Sequence, residues 1–473
     1  MDFSSPITGI VCCSSFLLGA SMKFQKQSGG ILIMTVVLLG MFTIMFASLA
    51  NVTSLQYQQG GLAAQDETAF QIAEAGLNFA RWRLSHEPEN FSSITQDVTD
   101  PLAGVLGSYT LTFVAPDEGS TVVTISSVGH TANAPVRDVT LEATYGIPSL
   151  SQFVILSHSD AWYDGEIHGR VHSNGGIRMD GVSDSVMTSA KETYTCQDFH
   201  GCHNQTKPGI WGDGSDSSLW QFPVPPVDYE GLTIDLLTMK EASQTAGTYL
   251  APSGAQGYHI VFNANDTYSV YRVDTKTDVV RSYFEETGWE WMSHDIATET
   301  LVSTSAVPDE GIIYVEDTLW VQGDIRSRIA IATGRFPDTP STNTDLIING
   351  NISYGGVTDG TRMLGAVAQG NVLIPYSAAP DVLQMDGAYI AQNGRFGRRY
   401  YSSGAYKLRA SITRFGMVGS NLTPITAWAD SNSPVHSGYE QSTATYDPNL
   451  LYAPPPFFPT SGEYQFLSWS RKE

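Results

Sequence analysis

Residues 31–49 form the run ILIMTVVLLGMFTIMFASL, which sets the architecture of everything that follows it. No charged residue occurs anywhere from Gln27 to Gln65. A helix that crosses a lipid bilayer needs about 20 predominantly apolar residues, and this run supplies them. The sequence therefore predicts a transmembrane segment over residues 31–50.

Charges beside the apolar run predict its orientation. Lys23 and Lys26 are the nearby charges on its N-terminal side, and the positive-inside rule places that end in the cytoplasm. The chain is then a single-pass protein of the cell membrane, with its bulk outside the cytoplasm. A cleaved secretory signal peptide is the alternative. It fits less well, because the run is longer than the apolar core of a signal peptide and no A-x-A cleavage motif ends it.

Helical periodicity continues beyond the membrane segment. No proline occurs between Pro6 and Pro88, and small or apolar residues recur at helical spacing after the run. A single helix over 31–85 would be roughly 80 Å long at 1.5 Å per residue. The periodic positions beyond the membrane are Ala69, Ile72, Ala73, Gly76, Leu77, Ala80 and Leu84.

Two short motifs carry a family resemblance. Residues 23–30, KFQKQSGG, precede the apolar run, and residues 69–77, AFQIAEAGL, follow the pattern AxxxAEAGL. At this separation they resemble the leader and the signature of PilX-type minor pilins of type IV pili. The resemblance implies that a prepilin peptidase cuts after Gly30 and methylates Ile31, with a cut after Gly29 as the second choice. It also implies contacts with other pilin subunits and the pilus assembly machinery, and helix packing through Ala69, Ala73, Glu74, Gly76 and Leu77.

The sequence departs from that family's pattern at two points. Major pilins carry a glutamate five residues into the mature chain, and counting from Ile31 that position is Thr35. A threonine cannot neutralise a terminal amine buried in lipid. We therefore expect a minor, priming or tip subunit rather than one that repeats along a filament. Upstream, Met22 begins a second leader-like segment, so the predicted leader is 1–30 or starts at Met22.

The composition is that of a folded, acidic, β-rich protein. The 473 residues contain 25 Lys plus Arg against 48 Asp plus Glu, a formal net charge of −23, and 44 glycines. A negative charge of this size argues against nucleic acid as the main partner of the bulk chain. The predicted fold class is α+β and mainly β, with a long N-terminal helix, a small antiparallel headgroup and a larger β body.

Residues 86–150 are predicted to form the small antiparallel β headgroup. Alternating runs at 109–114 and 121–125 flank a turn-forming segment, and 136–145 supplies a third strand. Such a sheet would bury the extracytoplasmic end of the helix.

Residues 151–473 are predicted to form a parallel β-solenoid. Short apolar runs repeatedly end in glycine, and the segment 365–372 is echoed 22 residues later by 387–394. A period in the twenties is typical of stacked solenoid turns. A β-sandwich with coincidental spacing is the alternative.

Two segments of this body depart from the repeat. An α+β insertion is expected at about 223–308, where helical spacing is followed by strand-like runs. Residues 446–473 begin with many prolines, which prevent regular structure in that part. We expect them to form an extended strap, with Trp469 covering the open end of the solenoid.

A cysteine and histidine cluster allows three interpretations. Cys196 and Cys202 lie in a polar segment with His200 and His203. Outside the cytoplasm a disulfide is the default. A zinc site has suitable ligand types but crowded ligand spacing, and reduced thiols are the third interpretation. The disulfide is favoured on compartment grounds.

Two further features predict surface contacts. Residues 213–216, DGSD, resemble half of a calcium loop, and no cofactor other than Ca²⁺ is predicted. The downstream carboxylate of such a loop is missing, so a solvated acidic turn is favoured. An exposed basic patch that contacts a glycan or another cell is predicted from Arg398, Arg399, Tyr400 and Tyr401.

These features together predict a non-enzymatic, membrane-anchored, pilin-like protein that displays a β-solenoid for adhesion or assembly contacts in a type IV pilus or pseudopilus. The motifs G-x-S-x-G and H-E-x-x-H and a P-loop do not occur in the sequence. Two alternatives stay open. One is a β-helix lyase or hydrolase of carbohydrates, marked by acidic side chains converging on adjacent turns. The other is a surface anchor unrelated to pili, whose leader is not cut after Gly30.

Overall fold

A computed structural model describes most of the chain. The described residues are 30–102, 104–116, 121–133, 136–214, 216–228, 232–429, 434–451, 453–458 and 464–472. The predicted leader, apart from Gly30, lies outside them. The chain divides into two compact units, Met1–Thr68 and Ala69–Glu473.

Two α-helices are present in the described residues, α1 over Gly30–His86 and α2 over Leu232–Thr245. The sequence predicted 31–85 for the first. Pro88 prevents continuation of α1, because the residue before a proline disfavours helical backbone. Arg83 and His86 lie in its last turn, where cations complement the helix dipole. Short 3₁₀ helices occur at Leu150–Gln152, Asp198–His200, Ser217–Leu219 and Pro448–Leu451.

An antiparallel sheet follows α1 and forms the headgroup. Its strands are β1 Ile94–Asp100, β2 Gly104–Val114, β3 Val122–Thr131 and β4 Asp138–Gly146. In β3 every second residue is buried, the pattern of a sheet with one face on a core. Leu111, Ile125 and Leu141 pack with Ile72 and Leu84 of α1. Each such buried side chain contributes about 1.5–3 kcal/mol to stability.

The body begins with short strands that stack in parallel. Parallel pairing joins Ile155 to Val171 and Val171 to Met187. Each step is sixteen residues long, and the same step places His172 Nδ1 2.9 Å from Thr188 Oγ1. The strands of this part are β5 Ile155–Ser157, β6 Ala161–Tyr163, β7 Glu166–His168, β8 Val171–Ser173, β9 Ile177–Met179, β10 Val182–Ser183, β11 Met187–Ser189, β12 Thr193–Cys196, β13 Gln205–Pro208, β14 Ile210–Trp211 and β15 Trp220–Gln221. Of these, β12 and β13 pair antiparallel with each other.

The remaining strands of the body follow α2. They are β16 Thr248–Leu250, β17 Gly257–Phe262, β18 Thr267–Lys276, β19 Val280–Phe284, β20 Gly288–Met292, β21 Ile296–Ala306, β22 Ile312–Val315, β23 Leu319–Asp324, β24 Arg328–Thr333, β25 Leu346–Ser353, β26 Met363–Ala368, β27 Val372–Leu373, β28 Val382–Ala391, β29 Phe396–Gly397, β30 Leu408–Ser420, β31 Ala427–Trp428 and β32 Ser437–Thr445. Antiparallel pairing joins β17 to β18, β18 to β21 and β19 to β20. Parallel and antiparallel pairs therefore occur in the same body.

One continuous parallel ladder organises the body. Its strands follow the order β16, β22, β24, β26, β28, β30, β5, β8, β11, β15. A second parallel ladder runs β17, β23, β25, β27, β29. Buried aliphatic side chains of both ladders form the largest core cluster, which includes Ile331, Ile348 and Val418.

The order of the ladder differs from the order of the chain. The first strand along the chain, β5, lies in the interior of the ladder. The chain continues through β8 and β11 to β15 at one end of the ladder, and its next ladder strand, β16, lies at the opposite end. The connection includes α2, whose Leu236 and Met239 pack against Ile312 and Tyr314. Part of the predicted 223–308 insertion, β16 and β17, thus pairs directly within the two ladders.

The repeat noticed in the sequence is displaced by one residue in the structure. Gly365 pairs with Ala388 rather than with Gly387, and Val367 pairs with Ile390. Both offsets place apolar residues side by side, so the sequence repeat alone does not fix the pairing. The echo at 22 residues was therefore close, but its register was wrong.

The C-terminal segment returns to the headgroup. β33, Gln465–Lys472, pairs antiparallel with β4 and forms an edge of the head sheet. Trp469 is 53% exposed and lies 6.0 Å, between ring centroids, from Phe70. The prediction that Trp469 covers the end of the body is wrong. The prolines end at Pro459, and the residues of β33 are free to pair.

Candidate functional site

The signature residues lie where α1 packs on the head sheet. Ala69, Ala73, Gly76 and Leu77 are all buried, and they share one face of the helix. Glu74 is exposed. The prediction that these five residues pack against the helices of other pilin subunits stays a prediction, since the exposed Glu74 faces away from the head sheet.

Small residues allow an unusually close approach between helix and sheet. A Cβ added at Gly129 of β3 would lie 2.3 Å from the carbonyl oxygen of Ala69 and 2.6 Å from the nitrogen of Ala73. A Cβ added at Gly76 would lie 2.3 Å from Ser127 Oγ, and that hydroxyl donates to the Ala73 carbonyl at 2.7 Å. The alanines and glycine of the signature thus have a physical role, since larger side chains would separate helix and sheet.

The preceding part of α1 presents its apolar side chains to the surroundings. In the described residues, α1 is the single helix long and apolar enough to cross a membrane. Ile31 is 75% exposed, Ile44 73% and Phe46 68%. An exposed apolar surface of this extent on one helix indicates burial in lipid or against other helices.

Thr35 is satisfied within its own helix. Its hydroxyl donates to the carbonyl of Ile31 at 3.0 Å and to that of Leu32 at 2.9 Å. The hydroxyl therefore places no unpaired polar group in an apolar environment. Gly30 and Ile31, the predicted cleavage pair, are both helical and exposed.

Cys196 and Cys202 are joined by a disulfide. The bond ties the end of β12 to the loop before β13, and both cysteines pack with Tyr194 and Trp211. With the thiols so joined, the zinc site considered from the sequence is not formed. Within the described part of the chain, no group of three His, Cys, Asp or Glu residues is placed to hold a metal ion.

The two histidines of this segment differ in environment. His200 is 2% exposed, whereas the side chain of His203 is 85% exposed. Burial lowers the pKa of His200 to about 4, and the nearby Arg178 guanidinium adds to this effect. Arg178 also donates to the His200 carbonyl at 2.6 Å. His200 is therefore a neutral packed side chain at physiological pH.

The predicted calcium half-loop is engaged in local contacts. The Asp213 backbone N–H donates to Asp180 Oδ1 at 3.2 Å, and Asp216 accepts from the Ser218 hydroxyl. Ser215 lies outside the described residues. The favoured acidic turn and the calcium alternative both stay predictions.

The predicted basic patch is not a surface feature. Arg398, Arg399 and Tyr401 are at most 5% exposed, and only Tyr400 is partly exposed. Arg398 donates to the carbonyls of Pro375, Tyr376 and Tyr406, and burial lowers its pKa. The prediction of exposure is wrong because these guanidinium groups satisfy carbonyls in loops of the body.

Sequence reasoning missed an aromatic hairpin. β19 and β20 form a separate two-stranded sheet, and Trp289 and Trp291 of β20 are 44% and 68% exposed. The sequence did carry a signal. Trp289 and Trp291 are separated by the single residue Glu290, and residues two apart in a strand lie on the same face.

Comparisons with known proteins give few matches. No family model matches the chain, and no curated protein matches it. A solved structure that matches is the crystal structure of the competence-associated pilin ComZ from Thermus thermophilus. The match has 14% sequence identity and a TM-score of 0.29, and it covers 86% of this chain and 97% of that one. A TM-score this low does not establish a common fold.

Proposed function

We propose that the chain is a non-enzymatic, membrane-anchored, pilin-like protein of a type IV pilus or pseudopilus. The observation that carries the proposal is the division of α1. Its segment 31–49 is apolar and exposed, whereas the face carrying Ala69, Ala73 and Gly76 is buried under the head sheet. One helix thus combines a membrane anchor with the foundation of a folded headgroup.

The energetics favour retention in the membrane. Each Leu, Ile, Phe or Val at the centre of a spanning helix contributes about −0.3 to −0.6 kcal/mol to insertion, and the run contains many of them. The threonines of the run do not oppose insertion strongly. Thr43, like Thr35, donates to a carbonyl one turn earlier, at 2.8 Å.

Thr35 also supports a particular place in the assembly. A subunit that lacks a carboxylate at this position cannot pair with the terminal amine of a neighbour inside lipid. We therefore assign the protein to a minor class of subunit, at the tip or in priming, rather than to the repeating filament.

The displayed body is proposed to be a β-solenoid. Its support is the two parallel ladders, in which strand after strand pairs with the next turn in register. Sixteen-residue steps at β5, β8 and β11 repeat both the strand and its buried serine, Ser157, Ser173 and Ser189, each 0% exposed.

A structural role also accounts for Asp180, one of two acidic residues on adjacent turns. Asp164 and Asp180 occupy equivalent positions sixteen residues apart. Asp180 accepts from Trp162 Nε1 at 2.9 Å and pairs with Arg178 at 2.6 Å. A carboxylate held in this way supports the turn rather than acting as an acid or nucleophile, and this favours the non-enzymatic proposal.

Fractionation of the native host tests the proposal. Leu38→Arg places a cation near the middle of the run at a cost of about 3 kcal/mol of insertion free energy. We expect it to leave the membrane pellet and to be lost from sheared pili, while Leu102→Arg, at a position 98% exposed in the headgroup, stays in both. A wild-type chain that is soluble without detergent, or absent from pilus preparations and without effect on piliation, would contradict the proposal.

A further inference from the structure

The β19–β20 hairpin has two chemically different faces. Ser282 and Phe284 are buried and point toward the body, and Glu290 lies on the same side. Arg281, Tyr283, Trp289 and Trp291 alternate with them and therefore lie on the opposite face. The first set holds the hairpin in place, and the second meets solvent.

Buried arginines of the body anchor the inner face. Arg399 Nη2 lies 2.5 Å from Glu290 Oε2, and Arg399 Nε donates to Ser282 Oγ at 2.9 Å. Arg395 pairs with Glu285 at 2.9 Å, and its guanidinium lies 4.5 Å from the centre of the Phe284 ring. Backbone bonds between Tyr283 and Tyr400 add a short antiparallel bridge. The hairpin is therefore held without help from the outer rings.

The outer rings form a connected platform. Ring centroids lie 5.5 Å apart for Tyr283 and Trp289, 5.8 Å for Trp289 and Tyr400, and 5.8 Å for Tyr400 and Trp428. Arg281 lies 4.2 Å from the centre of the Trp289 ring. Trp291, two residues along the same face, is 68% exposed. The exposed rings of Trp289 and Trp291 thus continue into the partly exposed rings of Tyr283, Tyr400 and Trp428, and contiguous exposed apolar surface is a mark of interaction sites.

Charge limits the class of ligand. Glu285 and Glu286 lie in the turn between β19 and β20 and pair with Arg395, and Glu290 pairs with Arg399. The whole chain carries a formal net charge of −23. The guanidinium of the outer face, that of Arg281, already lies over Trp289. The local charges thus compensate one another and leave no positive groove. Proteins that stack on nucleic acids combine their aromatic rings with such a groove, so an anionic polysaccharide or a nucleic acid fits this face poorly.

The small area of the outer face limits the class of ligand further. A stable protein interface needs about 800 Å² per partner, or 20–30 residues on each side. The outer face of a hairpin with five residues in each strand is far smaller. A ligand that fits must match flat ring faces over a short length and tolerate neighbouring carboxylates and phenols as hydrogen-bonding groups.

We propose that the outer face of the β19–β20 hairpin, centred on Trp289 and Trp291, binds a neutral oligosaccharide. Sugar rings offer apolar C–H faces for the two indoles and hydroxyls for the phenols of Tyr283 and Tyr400 and for Glu286. The inference deepens the adhesive role in the proposed function and rests on it for its biological meaning. The binding itself does not depend on the membrane anchor.

Titration of the detergent-solubilised full chain with cellohexaose, chitohexaose and maltohexaose, followed by tryptophan fluorescence, tests the proposal. We expect at least one of the three to bind. Trp291→Ala and Trp289→Ala should each weaken that binding by about tenfold, whereas Trp291→Phe should retain most of it. Trp469→Ala, which removes an equally exposed indole on β33, is the matched control and should bind as the wild type does. Unchanged melting temperatures of the variants confirm that the hairpin stays folded.

Several outcomes overturn the proposal. They are failure of all three neutral probes to bind, binding unaffected by both alanine variants, and binding only of hexagalacturonate or of a dT12 oligonucleotide. Concentration-dependent dimers in sedimentation that Trp291→Ala abolishes would assign the face to a second copy instead. If the wild-type protein is retained in the membrane but binds no glycan, only this inference is overturned. If the wild-type protein is soluble but binds the glycan, only the proposed function is overturned.

Discussion

Val418 of β30 pairs in parallel with Ile155 of β5, so a strand from late in the chain lies directly beside the first strand of the body. Both side chains are 2% exposed. The contact joins the turns built before α2 to those built after it into one ladder. The body therefore closes only when the segment up to β30 has been synthesised and folded.

Removing side-chain volume at this junction should destabilise the whole body. Ile155→Ala leaves a cavity between β30 and β8, and such truncations cost about 2–5 kcal/mol. Urea unfolding of the full chain in detergent would measure the loss. Val182→Ala on β10, where the side chain is 53% exposed, should change the unfolding midpoint little. Equal effects of the two variants would mean that the junction is not a packed core.

Gly129→Ala should separate α1 from the head sheet. The added methyl would lie 2.3 Å from the Ala69 carbonyl oxygen, a backbone atom that cannot move without shifting the helix. Overpacking of this kind costs about 1–3 kcal/mol or more. We expect faster amide hydrogen exchange in β2 and β3. The exchange rates in the ladders of the body should not change.

Gly61→Ala serves as the control for that variant. A Cβ at Gly61 meets nothing within 4 Å, and alanine is about 1 kcal/mol better than glycine inside a helix. This substitution should leave amide exchange in the head sheet unchanged. If Gly129→Ala also leaves it unchanged, the close approach does not determine stability.

Loss of the disulfide should destabilise the β12–β13 hairpin. The bond closes a loop with a sequence separation of 6 residues, and a loop this short gives a stabilisation of roughly 2 kcal/mol. Cys202→Ser should lower the melting temperature by an amount that reducing agent reproduces in the wild type. Quantification of free thiols in the non-reduced native protein should find Cys196 and Cys202 blocked. Reactive thiols at both would contradict the assignment.

Stability should fall as the pH drops below about 6.5. Burial lowers the pKa of His294 to about 3 and that of His200 to about 4, against an ordinary value of 6.5. The unfolded chain protonates these two histidines as the pH falls below 6.5, whereas the folded protein keeps them neutral. Their full contribution to the stability of the folded protein is therefore present above pH 6.5. The loss accumulates down to about pH 4 and pH 3, at no more than about 1.4 kcal/mol per pH unit for each histidine.

Matched variants separate this effect from general acid denaturation. His294→Gln should flatten the dependence of the unfolding free energy on pH between 6.5 and 4. His203→Gln, at a side chain 85% exposed, should not. Identical pH profiles of wild type and His294→Gln would show that this histidine titrates normally.

The parts of the fold that depend on local sequence were predictable. The helix follows from the apolar run 31–49 and the spacing of Ala69, Ala73 and Gly76, and the head strands follow from alternation. These signals lie within a few residues of each other. The disulfide, likewise, needed only the compartment and two nearby cysteines.

The parts that depend on distant pairing were not predictable. The register of Gly365 against Ala388 differs by one residue from the sequence repeat, and both offsets align apolar residues. The stacking of β30 on β5 has no local signal. β33 was missed because its few alternating residues follow a proline-rich segment. Arg398 and Arg399 were placed on the surface by their charge, whereas loop carbonyls and Glu290 hold them inside. Burial of a paired charge can be recognised only when its partners are known.

A processed apolar helix that stays with the mature protein is the feature on which anchoring and assembly both depend. Intact-mass analysis of the native protein from the membrane fraction tests it most directly. We predict a chain that begins at a methylated Ile31 and retains all of 31–49. A mature chain that begins downstream of Leu49 and is found in the soluble fraction would contradict the account.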